Sequence, residues 1–320
     1  MTADPLLIMV APNGARRTRN DHPALPMTAS ELAETAAACL AQGAAAMHVH
    51  VRDETGAHVL DADRYTQALD AIRGRTNGAM LVQVTTEAVG RYSPLEQMQL
   101  VRTLRPAAIS IALREILRAG EPEASAFFAS TARQGISVQH ILYDDADLDK
   151  FAELHRRGDF GDVPQPRLLF VLGRYTHDQE SRREDLDVFL AGLERHRLAA
   201  SAVWSVCAFG RGETAALQAA IERGGHVRVG FENSLWNAGG GVARDNAERV
   251  PASPALQPMP GDRSHRPGRP RRSSESPDAD RHASEWRCRF YLLVLPRMAI
   301  QYGKSVIIQD SRLASQGLSI

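Results

Sequence analysis

The sequence predicts an α/β protein with the (β/α)8 architecture of a TIM barrel. Three observations carry that prediction. Short apolar, β-branched runs alternate with longer amphipathic stretches along residues 1–250. Eight such runs fit within about 250 residues, the count and span of one closed barrel. The runs are apolar almost throughout, as parallel strands covered on both faces must be. An open, doubly wound sheet is the alternative. It lacks its Gly-x-Gly-x-x-Gly turn after the first run.

The expected strands are residues 6–10, 44–51, 79–86, 107–113, 137–143, 167–172, 200–209 and 227–231. Helical periodicity fills the gaps. A first helix over 31–42 starts behind Ser30 as its expected N-cap. Further helices follow at 61–73, 93–104, 122–134, 145–157, 184–196 and 212–223, so each of the first seven strands leads into a helix. Residues 241–250 read as the start of an eighth helix.

The chain changes character at Val250. Residues 251–277 contain seven of the 17 prolines, and 263–276 read RSHRPGRPRRSSES. That composition is of the disordered type. Residues 251–320 carry 11 Lys and Arg against 6 Asp and Glu, and the remainder 27 against 32, so a net charge of +0 hides a tail of +5 on a body of −5. We read two domains' worth of chain: a catalytic barrel over 1–250, and an atypical tail over 251–320 that replaces the last helix and is expected to be disordered or poorly packed. A reading-frame change after Val250 accounts for the tail better than a basic arm that contacts an acidic partner.

Composition excludes several function classes. The apolar fraction of 43% and charged fraction of 24% are those of a globular protein. Zero net charge gives no electrostatic claim on nucleic acid or membrane. Three widely spaced cysteines indicate neither a disulfide framework nor a cysteine-rich metal module. No run reaches the ~20 apolar residues of a membrane helix; the longest, at 290–300, is broken by Pro296 and Arg297. The start lacks the pattern of a secretory leader. The expectation is a cytoplasmic, soluble protein in a reducing compartment.

The sharpest chemical signal is His48-Val49-His50-Val51-Arg52-Asp53 at the end of the second strand. Side chains alternate along a strand, so His48 and His50 share a face and both can reach one divalent ion. Two hydrogen-bonded core histidines are the plainer alternative. The carboxyl ends of barrel strands form the active-site rim. The eighth strand supplies a third ligand: Arg228, Gly230 and Glu232 share one face, and strands 2 and 8 both flank strand 1 in a closed barrel. A metal on Glu232 and a substrate carboxylate on Arg228 would satisfy both buried charges; a plain Arg228–Glu232 ion pair would also do so.

Other rim segments add candidates. Thr85 and Thr86 end the third strand at a turn that suits an anionic group, and Glu87 follows as a proton-transfer candidate. Asn13 and Gly14 end the first strand and either line a pocket or form a turn. Arg16, on the same rim, faces an anionic substrate side chain or plain solvent. Arg174 after the sixth strand and Arg211 after the seventh are placed where barrels often bind phosphates.

Taken together, APNGARRTRNDHPALPMT (11–28), HVHVRD (48–53), QVTTEAVG (83–90) and VRVGFENS (227–234) resemble the β-keto acid cleavage enzyme family, which includes the 3-keto-5-aminohexanoate cleavage enzyme. FVLGRY (170–175) and WSVCAFGRG (204–212) add weaker matches, and the resemblance spans about residues 6–250. It implies a zinc-dependent barrel that converts a β-keto acid and acetyl-CoA into acetoacetate and a new acyl-CoA. By match, His48, His50 and Glu232 hold zinc, Thr85 and Thr86 hold the substrate carboxylate, Ser110 helps seat substrate, and Arg228 steadies developing negative charge. It also implies a homo-oligomer.

The chain departs from the family pattern at four places. Asn233 stands where an Asp commonly follows the Glu ligand, and an amide is no general base. Glu87 stands where many members have Gly. The fifth strand, SVQHILYD, lacks a Glu that many members carry. The tail replaces helical sequence. Two rival readings follow: a metal-dependent barrel hydrolase or aldolase without CoA, and an inactive product with a damaged C-terminus.

Overall fold

In the computed structural model, which describes residues 6–250, eight parallel strands close into one barrel in sequence order. They are β1 (Ile8–Val10), β2 (Ala46–Val49), β3 (Leu81–Thr85), β4 (Ala108–Ala112), β5 (Ser137–Leu142), β6 (Arg167–Leu172), β7 (Val203–Ala208) and β8 (His226–Val229). β1 pairs with β2 on one side and with β8 on the other, which closes the cylinder. Each lies within its expected run, save that β8 starts one residue earlier. The residues lost at the ends have left the ladder for the rim loops.

The helices are α1 (Ala29–Ala41), α2 (Ala62–Arg75), α3 (Pro94–Leu104), α4 (Leu113–Ile116), α5 (Glu121–Arg133), α6 (Asp145–Arg157), α7 (Asp187–Arg195), α8 (Glu213–Glu222) and α9 (Asn246–Arg249). The starts of α1, α2, α3, α6 and α9 follow from side-chain caps. Asp61, Ser93 and Asp144 each accept a hydrogen bond from the backbone N–H three residues on. The first helix corrects the expectation: Thr28, not Ser30, is the cap, because Thr28 and Glu31 form a reciprocal capping box. The expected helix over 184–196 opens instead as a 3-10 turn, Arg183–Leu186, before α7. α4 and the 3-10 turn after it, Leu117–Ala119, were not expected. Here β4 runs into a helical turn with no breaking residue between them.

Two apolar layers hold the barrel. Outward-facing residues such as Val10, Met47, Val84, Ile109, Leu142, Phe170 and Val229 pack beneath the helices and are buried. Inside the cylinder a smaller cluster, Ala112, Ile141, Leu169, Val171, Cys207 and Phe209, fills the side built by β4–β7. The last described turn is tied to the barrel mouth. Asn246 accepts a hydrogen bond from the Phe231 N–H at 2.9 Å and donates to the Pro12 carbonyl at 3.0 Å. Arg249 forms a fully buried ion pair with Glu213 at the start of α8.

The readings made of the tail over 251–320, including its disorder, its lost helix and the run at 290–300, lie outside the described residues. Among the described residues, no helix is long and apolar enough to cross a membrane. Cys39 and Cys207 are buried free thiols.

Candidate active site at the mouth of the barrel

β2 carries His48 on its inward face, and His50 follows just past its end. The two Nε2 atoms lie 3.1 Å apart. Glu232, three residues beyond β8, places Oε2 3.6 Å from His48 Nε2 and 3.5 Å from His50 Nε2. That oxygen accepts no hydrogen bond although it is buried. One ligand atom from each of the three residues lies within 4.8 Å of the others. Two glycines permit this approach. Gly14 has φ +61°, and a Cβ there would stand 2.5 Å from Glu232 Cγ. Gly230 has φ +128°, and its Cβ would strike the Ala11 carbonyl.

Protonation fits a cation. Burial, then the charge of Arg228, holds His48 down to about 4, and burial holds His50 well below its usual value. Burial alone would raise Glu232, but the charge of Arg228 keeps it ionised, well below the carboxylate range. Two neutral imidazoles and one carboxylate form the donor set that divalent zinc takes in catalytic sites.

A chain of amides orients the first ligand. His48 and Gln83 are neighbours in the β2–β3 register. His48 Nδ1 donates to Gln83 Oε1 at 2.9 Å, which leaves the Nε2 lone pair facing the cluster. Gln83 Nε2 donates to Gln139 Oε1 at 3.1 Å, and Gln139 Nε2 to Ser205 Oγ at 2.9 Å. Ser205 Oγ in turn donates to the Leu168 carbonyl.

Arg228 lies beside the cluster, buried. Nη2 donates to Glu232 Oε1 at 3.1 Å and to Cys207 Sγ at 3.3 Å, while Nη1 and Nε have no partner. The expected ion pair is therefore present, and it leaves two of this guanidinium's nitrogens unsatisfied. A buried donor without a partner is costly, so these two nitrogens are open to an acceptor. Arg228 faces a cavity of about 120 Å3 that Asn13, His48, Thr85, Glu87 and Arg174 also line.

Glu87 stands 3.9 Å from His50 Nε2 and 3.7 Å from Arg174. Burial, then the charge of Glu232, pushes its carboxyl up to about 7 against the pull of Arg174. Asn13 donates to the Pro26 and His50 carbonyls, both at 3.0 Å, and keeps a buried, unpartnered Oδ1. Tyr65 from α2 donates to the Thr85 carbonyl at 3.3 Å and steadies the end of β3.

Four sequence candidates lie away from this cavity. Thr86 turns outward and donates to the Ser110 carbonyl at 3.0 Å. The Ser110 hydroxyl is buried without a partner and does not line the cavity. Asn233 is fully buried, with both amide atoms unpartnered. Arg211 is exposed, stacks over the Trp236 ring at 4.5 Å and donates to the Gly240 carbonyl. Residues that sequence reasoning missed include Gln83, Gln139 and Ser205, whose only signal is a polar side chain inside an apolar strand. Arg52 was passed over as well. It donates to the carbonyls of Gly56, Gly14 and Arg17 and so pins the first rim loop.

The sequence model of the β-keto acid cleavage enzymes matches residues 5–256. The chain belongs to the β-keto acid cleavage enzyme family. A 3-keto-5-aminohexanoate cleavage enzyme of Fusobacterium nucleatum is 29% identical over 250 residues, 77% of this chain and 88% of that one. A 3-oxoadipate:acetyl-CoA acetyltransferase of Cupriavidus necator is 27% identical over 274 residues, 79% of this chain and 88% of that one. Among solved structures, ObcA in binary complex with oxaloacetate superposes with a TM-score of 0.55 at 18% identity. That match covers 71% of this β-keto acid cleavage family member and 62% of ObcA, and shows a shared fold.

Proposed function

We propose that the protein condenses a β-keto acid with acetyl-CoA to give acetoacetate and a new acyl-CoA, with zinc held by His48, His50 and Glu232. The observation that carries this reading is the pairing, at one cavity, of a neutral N2O donor set with an arginine that has two unused donors. Family membership supplies the β-keto acid, and the names of relatives such as the 3-oxoadipate:acetyl-CoA acetyltransferase supply the second substrate. The donors fit a zinc ion: the orphaned Glu232 oxygen and the Gln83-fixed His48 lone pair face one point. Zinc there would supply Lewis-acid polarisation of the keto group.

The chain's own residues supply the rest. Arg228 offers Nε and Nη1 to the oxygens that gain negative charge. Thr85 and Asn13 orient the acid, and Ser110 and Thr86 support the wall behind them. Glu87 is the cavity carboxylate outside the ligand set, and it takes the proton lost from the carbon between keto group and carboxylate. Asn233 has no basic lone pair for that step. The carbanion bonds to the acetyl carbon of acetyl-CoA, and the CoA thiolate leaves. That thiolate then attacks the original keto carbon. The bond between that carbon and the former carbanion breaks, and acetoacetate departs with the proton restored. Arg211, outside the cavity, is placed for the CoA phosphates, and Arg174 guides the approach beside Glu87.

The test uses acetyl-CoA carrying 13C in its acetyl group. The label should appear in the terminal two carbons of acetoacetate. Consumption of the β-keto acid at the same rate without acetyl-CoA would instead favour the CoA-independent hydrolase or aldolase.

A further inference from the structure

The cavity holds more positive charge than its own acids neutralise. Four arginines line it, Arg16, Arg17, Arg174 and Arg228, against two carboxylates, Glu87 and Glu232. Glu232 is committed to Arg228 and the two imidazoles. Glu87 stands between His50 and Arg174. Arg17 is half-buried, and its guanidinium donates to backbone carbonyls, that of Phe231 at 2.7 Å and that of Asn233 at 3.4 Å. Arg16 makes neither an ion pair nor a side-chain hydrogen bond among the described residues. Arg17 feels the charges of Asp21, Glu213 and Glu232 and, more weakly, the repulsion of Arg174. A divalent ion at the ligand cluster would raise the excess further.

A β-keto acid with one carboxylate sets it against Thr85 and Asn13, turns its keto oxygen to Arg228, and brings no anion to the Arg16–Arg17 side of the cavity. We propose that the substrate is a β-keto dicarboxylic acid, whose second carboxylate, on the acyl side of the keto group, is received by Arg16 with Arg17 as the supporting charge. This rests on the β-keto acid reading above and specifies its substrate. The phosphates of CoA are the other anions at hand. They sit at the far end of the pantetheine arm from the thiol, whereas Arg16 and Arg17 line the same cavity as His48 and Glu232. Exposed Arg16 is thus the direct ligand, and one whose removal leaves the folded core untouched.

The test compares 3-oxoadipate with 3-oxohexanoate, which has the same chain length and no second charge, on the full protein with acetyl-CoA saturating. We expect kcat/KM to favour the diacid by about tenfold or more, the worth of one charge-assisted contact. Arg16→Ala should cut that ratio about tenfold, and Arg16→Glu should cut it further. A second arm needs no turnover: by calorimetry without CoA, unreactive adipate should bind more tightly than hexanoate, and Arg16→Ala should shrink the gap.

Equal or better use of 3-oxohexanoate, with hexanoate binding as well as adipate, overturns the dicarboxylate while leaving the β-keto acid reading standing. Failure of every β-keto acid to react sinks that reading, and the adipate arm then decides whether the diacid site exists. A raised KM for acetyl-CoA in Arg16→Ala, with the acid ratio unchanged, assigns the arginines to CoA and also overturns the proposal.

Discussion

The two faces of the same eight strands are equally buried and chemically opposite. On the outer face Val10, Met47, Val84, Phe170 and Val229 meet the helices, and all are apolar. On the inner face His48, Gln83, Ser110, Gln139, Ser205 and Arg228 are buried just as deeply, and all are polar. Apolar inner residues are gathered on the β4–β7 side. Burial of apolar surface stabilises the fold; burial of a polar group costs free energy unless it is paired. The outer face is therefore complete apart from one buried polar atom, His140 Nδ1. The inner face is complete along the Gln83–Gln139–Ser205 chain and incomplete at Glu232 Oε2, Arg228 Nη1 and Arg228 Nε. Those gaps mark where ligands belong.

Substitutions on the two faces should accordingly fail in different ways. The largest effect is expected at the inner ligands. His48→Ala/His50→Ala should lose the metal and about 1,000-fold or more in kcat/KM, several kcal/mol of transition-state stabilisation, while circular dichroism and melting stay near those of the parent. Phe170→Ala, in the stack with Phe189 and Trp204 on the outer face, should do the reverse. Chemical denaturation should show a loss of about 3–5 kcal/mol, with metal content per folded molecule unchanged. A variant of either face that produced the other face's effect would break the comparison.

The amide chain sharpens it. Gln83→Leu removes the acceptor that fixes the His48 tautomer, and metal affinity should weaken about 10–100-fold in a competition titration against a chelator. Unchanged affinity would show that the β2 backbone alone orients the ring.

The smallest effect is a pH dependence on the outer face. His140 lies among Phe128, Phe151 and Phe160 with an unpartnered Nδ1, and burial pushes it down to about 3. Its folded value is below its unfolded one. Its contribution to stability is thus complete above about 6.5, and is lost as pH falls from there toward 3. His140→Phe should flatten that part of the stability–pH curve. A curve of unchanged slope would show that other groups carry the acid sensitivity.

Much of this was legible in the sequence because the barrel repeats a local pattern. Each strand is a short, mostly apolar run, and α1, α2, α3 and α6 are periodic stretches behind a polar cap. The Thr28–Glu31 box was itself readable, and Ser30 between them drew attention away from it. α4 was not readable, since residues 113–116 continue an apolar strand without punctuation. At the site, His48 and His50 declared themselves by spacing, and Glu232 by strand order once the barrel closes. Gln83 and Gln139 carry no signature alone; they gain meaning only when the register sets His48 beside Gln83. Thr86 shows the converse, since alternation along β3 decides that Thr85, and not its polar neighbour, faces the cavity. Arg17 reads as a surface cation, and only the fold reveals that it lines a cavity.

The central claim is that the incomplete inner face is a metal site. Elemental analysis of the gel-filtered protein, beside His48→Ala/His50→Ala purified identically, tests it most directly. The account predicts close to one zinc per folded chain, absent from the variant. A folded, monodisperse protein free of metal, or a variant that retains the same zinc, would contradict it and return His48, His50 and Glu232 to a structural role.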